Sequence, residues 1–356
     1  MPTFPSTDPT PIFEAFRGNH ATELLTAAVA HLRLFEILGT GRLSPSALGI
    51  RLGLAERPLV VLTTALRALG LLNVDANGDF VLSPLAAEHL VPGGVFDVGG
   101  YIGLGAESPG VLEMVERLRS NRPAGSDDEK AGAAFIFRDG IESAMEREAS
   151  ARSLTLALAG RARNVAPLLA KNYPIPNAKV LLDVGGGTGI YSIAWLQVHP
   201  ELRAIVWDRP EVLKVAREMA DEFGVTDRLE TVGGDMFRDP LPGEADVILL
   251  SNILHDWDVP ECRTLVGRCA EVLPPGGELL IHDVFLNDAL DGPPPIALYS
   301  AALFRLTEGR AYSAAEYRGW LQERGLVAGE VVPTLVHCGV LPARKPLTSP
   351  KLGTGG

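Results

Sequence analysis

The chain is poor in cysteine. Cys262, Cys269 and Cys338 are all it has among 356 residues, too few and too clustered for a disulfide framework. Basic residues are also scarce, with 32 Lys and Arg against 44 Asp and Glu and a formal net charge of −12. Non-specific nucleic-acid binding depends on a surplus of Lys and Arg, so the charge argues against that class of partner. No apolar run reaches the roughly 20 residues needed to span a bilayer, which argues against a membrane protein. The opening Met1-Pro2-Thr3-Phe4-Pro5 lacks the charged-then-apolar pattern of a signal peptide. There is no internal repeat, and no His/Asp/Glu set has convincing metal-ligand spacing. These absences lead to the expectation of a cytoplasmic globular protein without a metal.

What is present is a hydrophobic fraction of 46%, enough for a large core and two domains. Residues 1–107 read as a mainly helical domain. Ile12 to Leu38 carry apolar residues at helical spacing, among them Leu24, Leu25, Ala28, Leu32 and Phe35. Ser44 then precedes a short helix, and Pro58 opens a second one running to Leu69. Strand-like Leu71 to Val74 and Phe80 to Leu82 flank the turn Asp75-Ala76-Asn77-Gly78, which completes a winged-helix pattern. The second helix offers one basic residue, Arg67, and almost no polar groups to reach base edges. A scaffold or dimerisation role is therefore expected in place of DNA binding.

Residues 108–172 read as a helical segment linking the domains, with a polar break from Ser120 to Lys130 expected as a mobile loop. Tyr101, Met114, Phe135, Phe137, Met145 and Phe304 are candidates for an acceptor pocket, with ordinary core packing the competing reading for each. From 173 to 345, apolar strand-like runs alternate with amphipathic helices, the pattern of a parallel, doubly wound α/β sheet of Rossmann-like type. The tail 346–356 is expected to be disordered.

The strongest local signal is Val180-Leu181-Leu182-Asp183-Val184-Gly185-Gly186-Gly187-Thr188-Gly189, an apolar strand, a glycine turn and a helix start. Gly185, Gly187 and Gly189 allow a tight turn and close backbone approach to a ligand. A dinucleotide fingerprint requires glycine where Ile190 stands. Asp183 would repel a pyrophosphate but attract the ammonium of a methionine moiety, so the pattern favours S-adenosylmethionine over NAD. Asp208 ends a second strand, where an acid can accept both ribose hydroxyls; a helix cap is its competing reading. Asp235 and Met236 end a third strand, suited to the adenine amino group and a purine face, against a turn and a core residue.

After a fourth strand comes Ser251-Asn252-Ile253-Leu254-His255-Asp256-Trp257. A histidine at the mouth of the crevice has a near-neutral pKa suited to taking a proton from a nucleophile as the methyl group departs. Asp283, at the end of a fifth strand, is placed to orient that imidazole. His282 beside it is expected in a supporting role, and Cys262 and Cys269 read as small buried residues of one helix.

These motifs, taken in order with Pro275-Gly276-Gly277, resemble the plant-type (class I, family 2) S-adenosylmethionine-dependent O-methyltransferases and their bacterial relatives. The resemblance implies a Rossmann-like methyltransferase domain preceded by a winged-helix dimerisation domain, and a homodimer in which each N-terminal domain completes the partner's pocket. It implies His255 as general base with Asp283 as its partner, and a cofactor site that takes in Arg209 and Ser251. There are departures. Ser251 stands where plant members carry lysine, and Ala311 where many have a second acid, with Glu308 upstream as the substitute. The expected function is methylation of a small-molecule hydroxyl with release of S-adenosylhomocysteine. The alternatives are S- or C-methylation of a metabolite, and an adenosylmethionine-sensing winged-helix regulator without catalysis.

Overall fold

The computed structural model describes residues 3–122 and 148–347. Most of the loop expected over 120–130, the pocket candidates Phe135, Phe137 and Met145, and the tail from 348 lie outside the described residues. The chain divides into two compact units, one of Pro11–Ile141 with Leu286–Ser313, the other of Met1–Thr10, Glu142–Phe285 and Ala314–Gly356.

The first of these is helical. The single helix suggested by the spacing over 12–38 is broken into short pieces, with Arg33 at φ 50 before the helix Leu34–Gly39. Ser44 caps the helix Pro45–Leu52 by accepting from the Ala47 N–H at 3.2 Å. The next helix is Glu56–Ala68, and the wing is the antiparallel pair β1 (Leu72–Val74) and β2 (Phe80–Leu82). That second helix is apolar for a structural reason. Leu59, Leu62 and Leu66 are buried in a core that also takes in Leu298, Ala301 and Phe304 of the helix Pro294–Leu306. A helix enclosed on this scale cannot enter a DNA groove.

Residues 286–313 thus pack in the helical unit, although they were expected within a continuous domain over 173–345. Burial of the apolar stripe of Pro294–Leu306 supplies the physical reason, and no local pattern announces a return across so long a chain distance. Met114 and Phe304 sit in this core, whereas Tyr101 is exposed.

The other unit carries the sheet. Its strands are β3 (Val180–Val184), β4 (Arg203–Asp208), β5 (Leu229–Gly233), β6 (Val247–Ser251) and β7 (Glu278–Leu286). The two-residue β8 (Tyr312–Ser313) falls in the helical unit, and β9 (Val327–Ala328), β10 (Val332–Pro333) and β11 (Cys338–Arg344) follow. The order is β10-β11-β7-β6-β3-β4-β5, with β9 also on β11. The run from β7 to β5 is parallel, and β11 adds to β7 antiparallel. Strand β6 is buried along its whole length, as expected of a parallel strand covered on both faces. The chain winds outward from β3 to β5 and then returns to the other side of β3 as β6. That reversal opens a crevice at the carboxyl ends of β3 and β6. No helix of the described residues is long and apolar enough to cross a membrane.

Candidate active site

The glycine turn is built by backbone. Gly185, Gly187 and Gly189 have φ of 67, 58 and 68, the left-handed region that favours glycine. The Gly185 N–H donates to Trp207 O at 2.7 Å, and the helix Ile190–Val198 begins where the Ile193 N–H reaches Gly189 O. Asp208 braces the turn from the end of β4. Its carboxylate accepts from the Gly187 N–H at 2.9 Å and the Arg209 N–H at 2.7 Å. Burial raises its pKa even though both donors pull the other way.

Asp183 is wholly buried, and its Oδ2 accepts from the Ser192 hydroxyl at 2.8 Å. Burial pushes it up to about 7, reinforced by the negative charge of Asp208. Gly186 must be glycine as well, because a Cβ there would lie 2.7 Å from Asp183 Cγ and 2.9 Å from Val206 Cγ1. A cavity of about 450 Å³ lies at the ends of β4 and β5, lined by Arg209, Pro210, Glu211, Gly233, Gly234, Asp235 and Asp239. Asp235 is partly exposed there and accepts from the Phe237 N–H at 2.8 Å, and Met236, next in the chain, is also partly exposed.

Across the crevice, side chains make the site. His255 is buried on the short helix Leu254–Asp256 after β6, and its Nδ1 lies 2.6 Å from Asp283 Oδ1. Nε2, the other ring nitrogen, is 3.6 Å from Asp256 Oδ1. Burial alone would lower the His255 pKa, but the charges of Asp283 and Asp256 outweigh it and hold the group above its ordinary value. Asp283 shows the converse. Burial would raise it, yet His255 and the Val284 N–H keep it low. Asp256, next to the pair, is pushed up to about 6 by burial.

Two residues that the spacing did not single out join this group. The Tyr317 hydroxyl donates to Asp283 Oδ2 at 3.1 Å from the helix Ala314–Glu323. Asn252 lies at φ 57, and its side-chain amide donates to Ser251 Oγ at 3.0 Å and to the Tyr191 hydroxyl at 3.3 Å. Ser251 Oγ in turn is 2.8 Å from His282 Nδ1, and burial pushes His282 down to about 3, so it stays neutral. Glu308 belongs to the helical unit, in the turn after Pro294–Leu306, and Ala311 is buried there without a carboxylate. Around His255 the sheet-bearing unit therefore gathers Asp283, Asp256 and Tyr317.

A family profile described as an O-methyltransferase domain matches residues 136–327. The 3-hydroxy-5-methyl-1-naphthoate 3-O-methyltransferase of Streptomyces sahachiroi is 35% identical over 319 residues, 89% of each chain. The chain belongs to the family 2 O-methyltransferases. The acetylserotonin O-methyltransferase of Mus musculus is 30% identical to it, over 88% of this chain and 82% of that one. Among solved structures, an O-methyltransferase family 2 protein from Planctomyces limnophilus in complex with apigenin matches with a TM-score of 0.87 and 50% identity. The alignment covers 97% of this O-methyltransferase and 98% of that chain.

The cofactor of an O-methyltransferase of this family is S-adenosylmethionine, and the crevice fits it. Asp183 Oδ1 and Asn252 Oδ1 are buried acceptors without hydrogen-bond partners, a need that a cationic donor meets. Glu211, Asp235 and Asp239 line the cavity beyond, where a pyrophosphate would meet like charge.

Proposed function

We propose that this O-methyltransferase transfers a methyl group to the hydroxyl oxygen of a small aromatic molecule, with His255 as general base. The observation that carries the reading is the buried 2.6 Å contact between His255 Nδ1 and Asp283 Oδ1. It fixes the tautomer, so that Nδ1–H donates to the carboxylate and Nε2 keeps its lone pair for the acceptor proton. The carboxylate then stabilises the imidazolium that forms. An aromatic hydroxyl acceptor is supported by the hydroxynaphthoate and acetylserotonin in the names of its relatives.

Bound S-adenosylmethionine supplies the activated methyl group on a cationic sulfur, and S-adenosylhomocysteine is the by-product. In this reading the unpartnered oxygens of Asp183 and Asn252 take the ammonium of its methionine end. The backbone of Gly185, Gly187 and Gly189 lies along the ligand, and Ser251 supports Asn252. Asp208 accepts the ribose hydroxyls, while Arg209, Asp235 and Met236 surround the adenine. The chain's main contribution to rate is to position the acceptor oxygen. A homodimer is part of the proposal. Ile12, Phe16, Val95 and Leu104 of the helical unit are exposed apolar side chains that a second copy would cover. Light scattering giving the mass of one chain would refute that part.

The test of the main reading pairs an acceptor panel with His255→Ala. Matched aromatic hydroxyl and thiol compounds are offered with S-adenosylmethionine. The variant should lose hydroxyl transfer and keep most transfer to a thiolate, which arrives ionised. Unchanged hydroxyl turnover would remove His255 from the mechanism.

A further inference from the structure

Asp283 is held at both carboxylate oxygens. Oδ1 meets His255 Nδ1 at 2.6 Å and the Val284 N–H at 2.8 Å, and Oδ2 accepts the Tyr317 hydroxyl at 3.1 Å. The Tyr317 side chain is wholly buried. Its ring lies edge-on to Phe285 at 5.7 Å and to Trp320 at 5.3 Å. Those aromatic contacts would serve a phenylalanine equally well. What the hydroxyl adds is a donor aimed at the carboxylate that faces the base, with its direction set by a ring packed between two aromatic neighbours.

We propose that Tyr317 is a positioning residue for methyl transfer: its hydroxyl fixes the plane of the Asp283 carboxylate and tempers its basicity, and so sets the pH range over which His255 Nε2 accepts a proton. The inference rests on His255 as general base and extends that reading to a residue that acts on the base through Asp283. A hydrogen bond to Oδ2 draws negative charge away from Oδ1. Without it, Oδ1 attracts the imidazolium more strongly and His255 stays protonated to higher pH. Other groups also face the pair: Asp256 on the same loop as His255, His282 on β7, and Arg161 on the helix Glu148–Asn172. His282 is neutral throughout the neutral range. Asp256 and Arg161 are unchanged by a substitution at Tyr317, so their contribution cancels in the comparison.

The test is a histidine NMR titration of the full chain with S-adenosylmethionine bound, the His255 signal being assigned by its loss in His255→Ala. Tyr317→Phe should move the His255 midpoint up by about 0.5–1 pH unit. The acid limb of hydroxyl methylation should move with it, while S-adenosylmethionine affinity stays level. Should the Phe variant not fold, uniform incorporation of 3-fluorotyrosine, a stronger donor, tests the same contact without deleting it and should move the midpoint down. A His255 midpoint that is unmoved in whichever of these proteins folds overturns the inference and leaves the base reading standing. Full hydroxyl turnover by His255→Ala overturns the base reading instead.

Discussion

The carboxyl edge of the sheet has two halves built by different means. At β3, β4 and β5 the backbone dominates: glycines at positive φ, a strand end 2.7 Å from the turn, and an Asp208 carboxylate accepting main-chain N–H groups. At β6 and β7 the site is a chain of side chains, from Asp256 and His255 through Asp283 to Tyr317, beside Asn252, Ser251 and His282. The first half is sensitive to added atoms, because a Cβ at Gly186 would press on Asp183 and Val206, and Gly185, Gly187 and Gly189 hold a positive φ. The second is sensitive to removed atoms, because each polar group depends on another that is equally buried. Binding and chemistry should therefore fail separately when each half is damaged.

The largest effect is expected on the chemical side. His255→Ala should lower the rate of hydroxyl methylation by about 10²–10⁴, with S-adenosylmethionine affinity by calorimetry near that of the parent. A comparable loss of cofactor affinity would break the division. Asp208→Ala should do the opposite, weakening S-adenosylmethionine binding by about 10–100-fold through the loss of hydrogen bonds to an ionised group. Transfer at saturating cofactor should change far less. Gly186→Ala sharpens the contrast at the level of stability. A methyl group pressed against Asp183 and Val206 should cost about 1–3 kcal/mol, seen as a lower melting temperature. If Gly186→Ala melts like the parent, the turn is softer than its contacts imply. Tyr317→Phe is the mildest change on the catalytic side, and it is read by pH in place of amplitude. Because His255 is held above its ordinary value near 6.5, the parent should lose hydroxyl transfer as pH falls through a point above that value. The variant's limb should lie higher still.

The glycine-turn half was legible in the sequence because its contacts follow strand, turn and helix in order. Asp183 reaches Ser192 only nine positions on, within one β-turn-α unit. The glycine spacing that separated a sulfonium from a pyrophosphate ligand is likewise a local feature. Even here the sequence was silent on one point: Asp183 turns its Oδ2 inward to Ser192, leaving Oδ1 as the unpartnered acceptor. On the catalytic side His255 and Asp283 could be paired by reasoning from adjacent strand ends. Asn252 and Tyr317 carried no such mark, since an amide beside a motif and an aromatic on a helix have many ordinary uses.

Local order by itself determined the alternation of strands and helices, the glycine turn, the acids at the strand ends and the loop that carries His255. Backbone geometry and hydrophobic periodicity act over a few residues and leave their trace in the spacing. Only the tertiary structure decided that residues 286–313 return to the helical unit, and that Tyr317, 34 positions from Asp283, donates to its free oxygen. Both depend on which buried surfaces meet after the chain has closed, and burial is set by the whole fold.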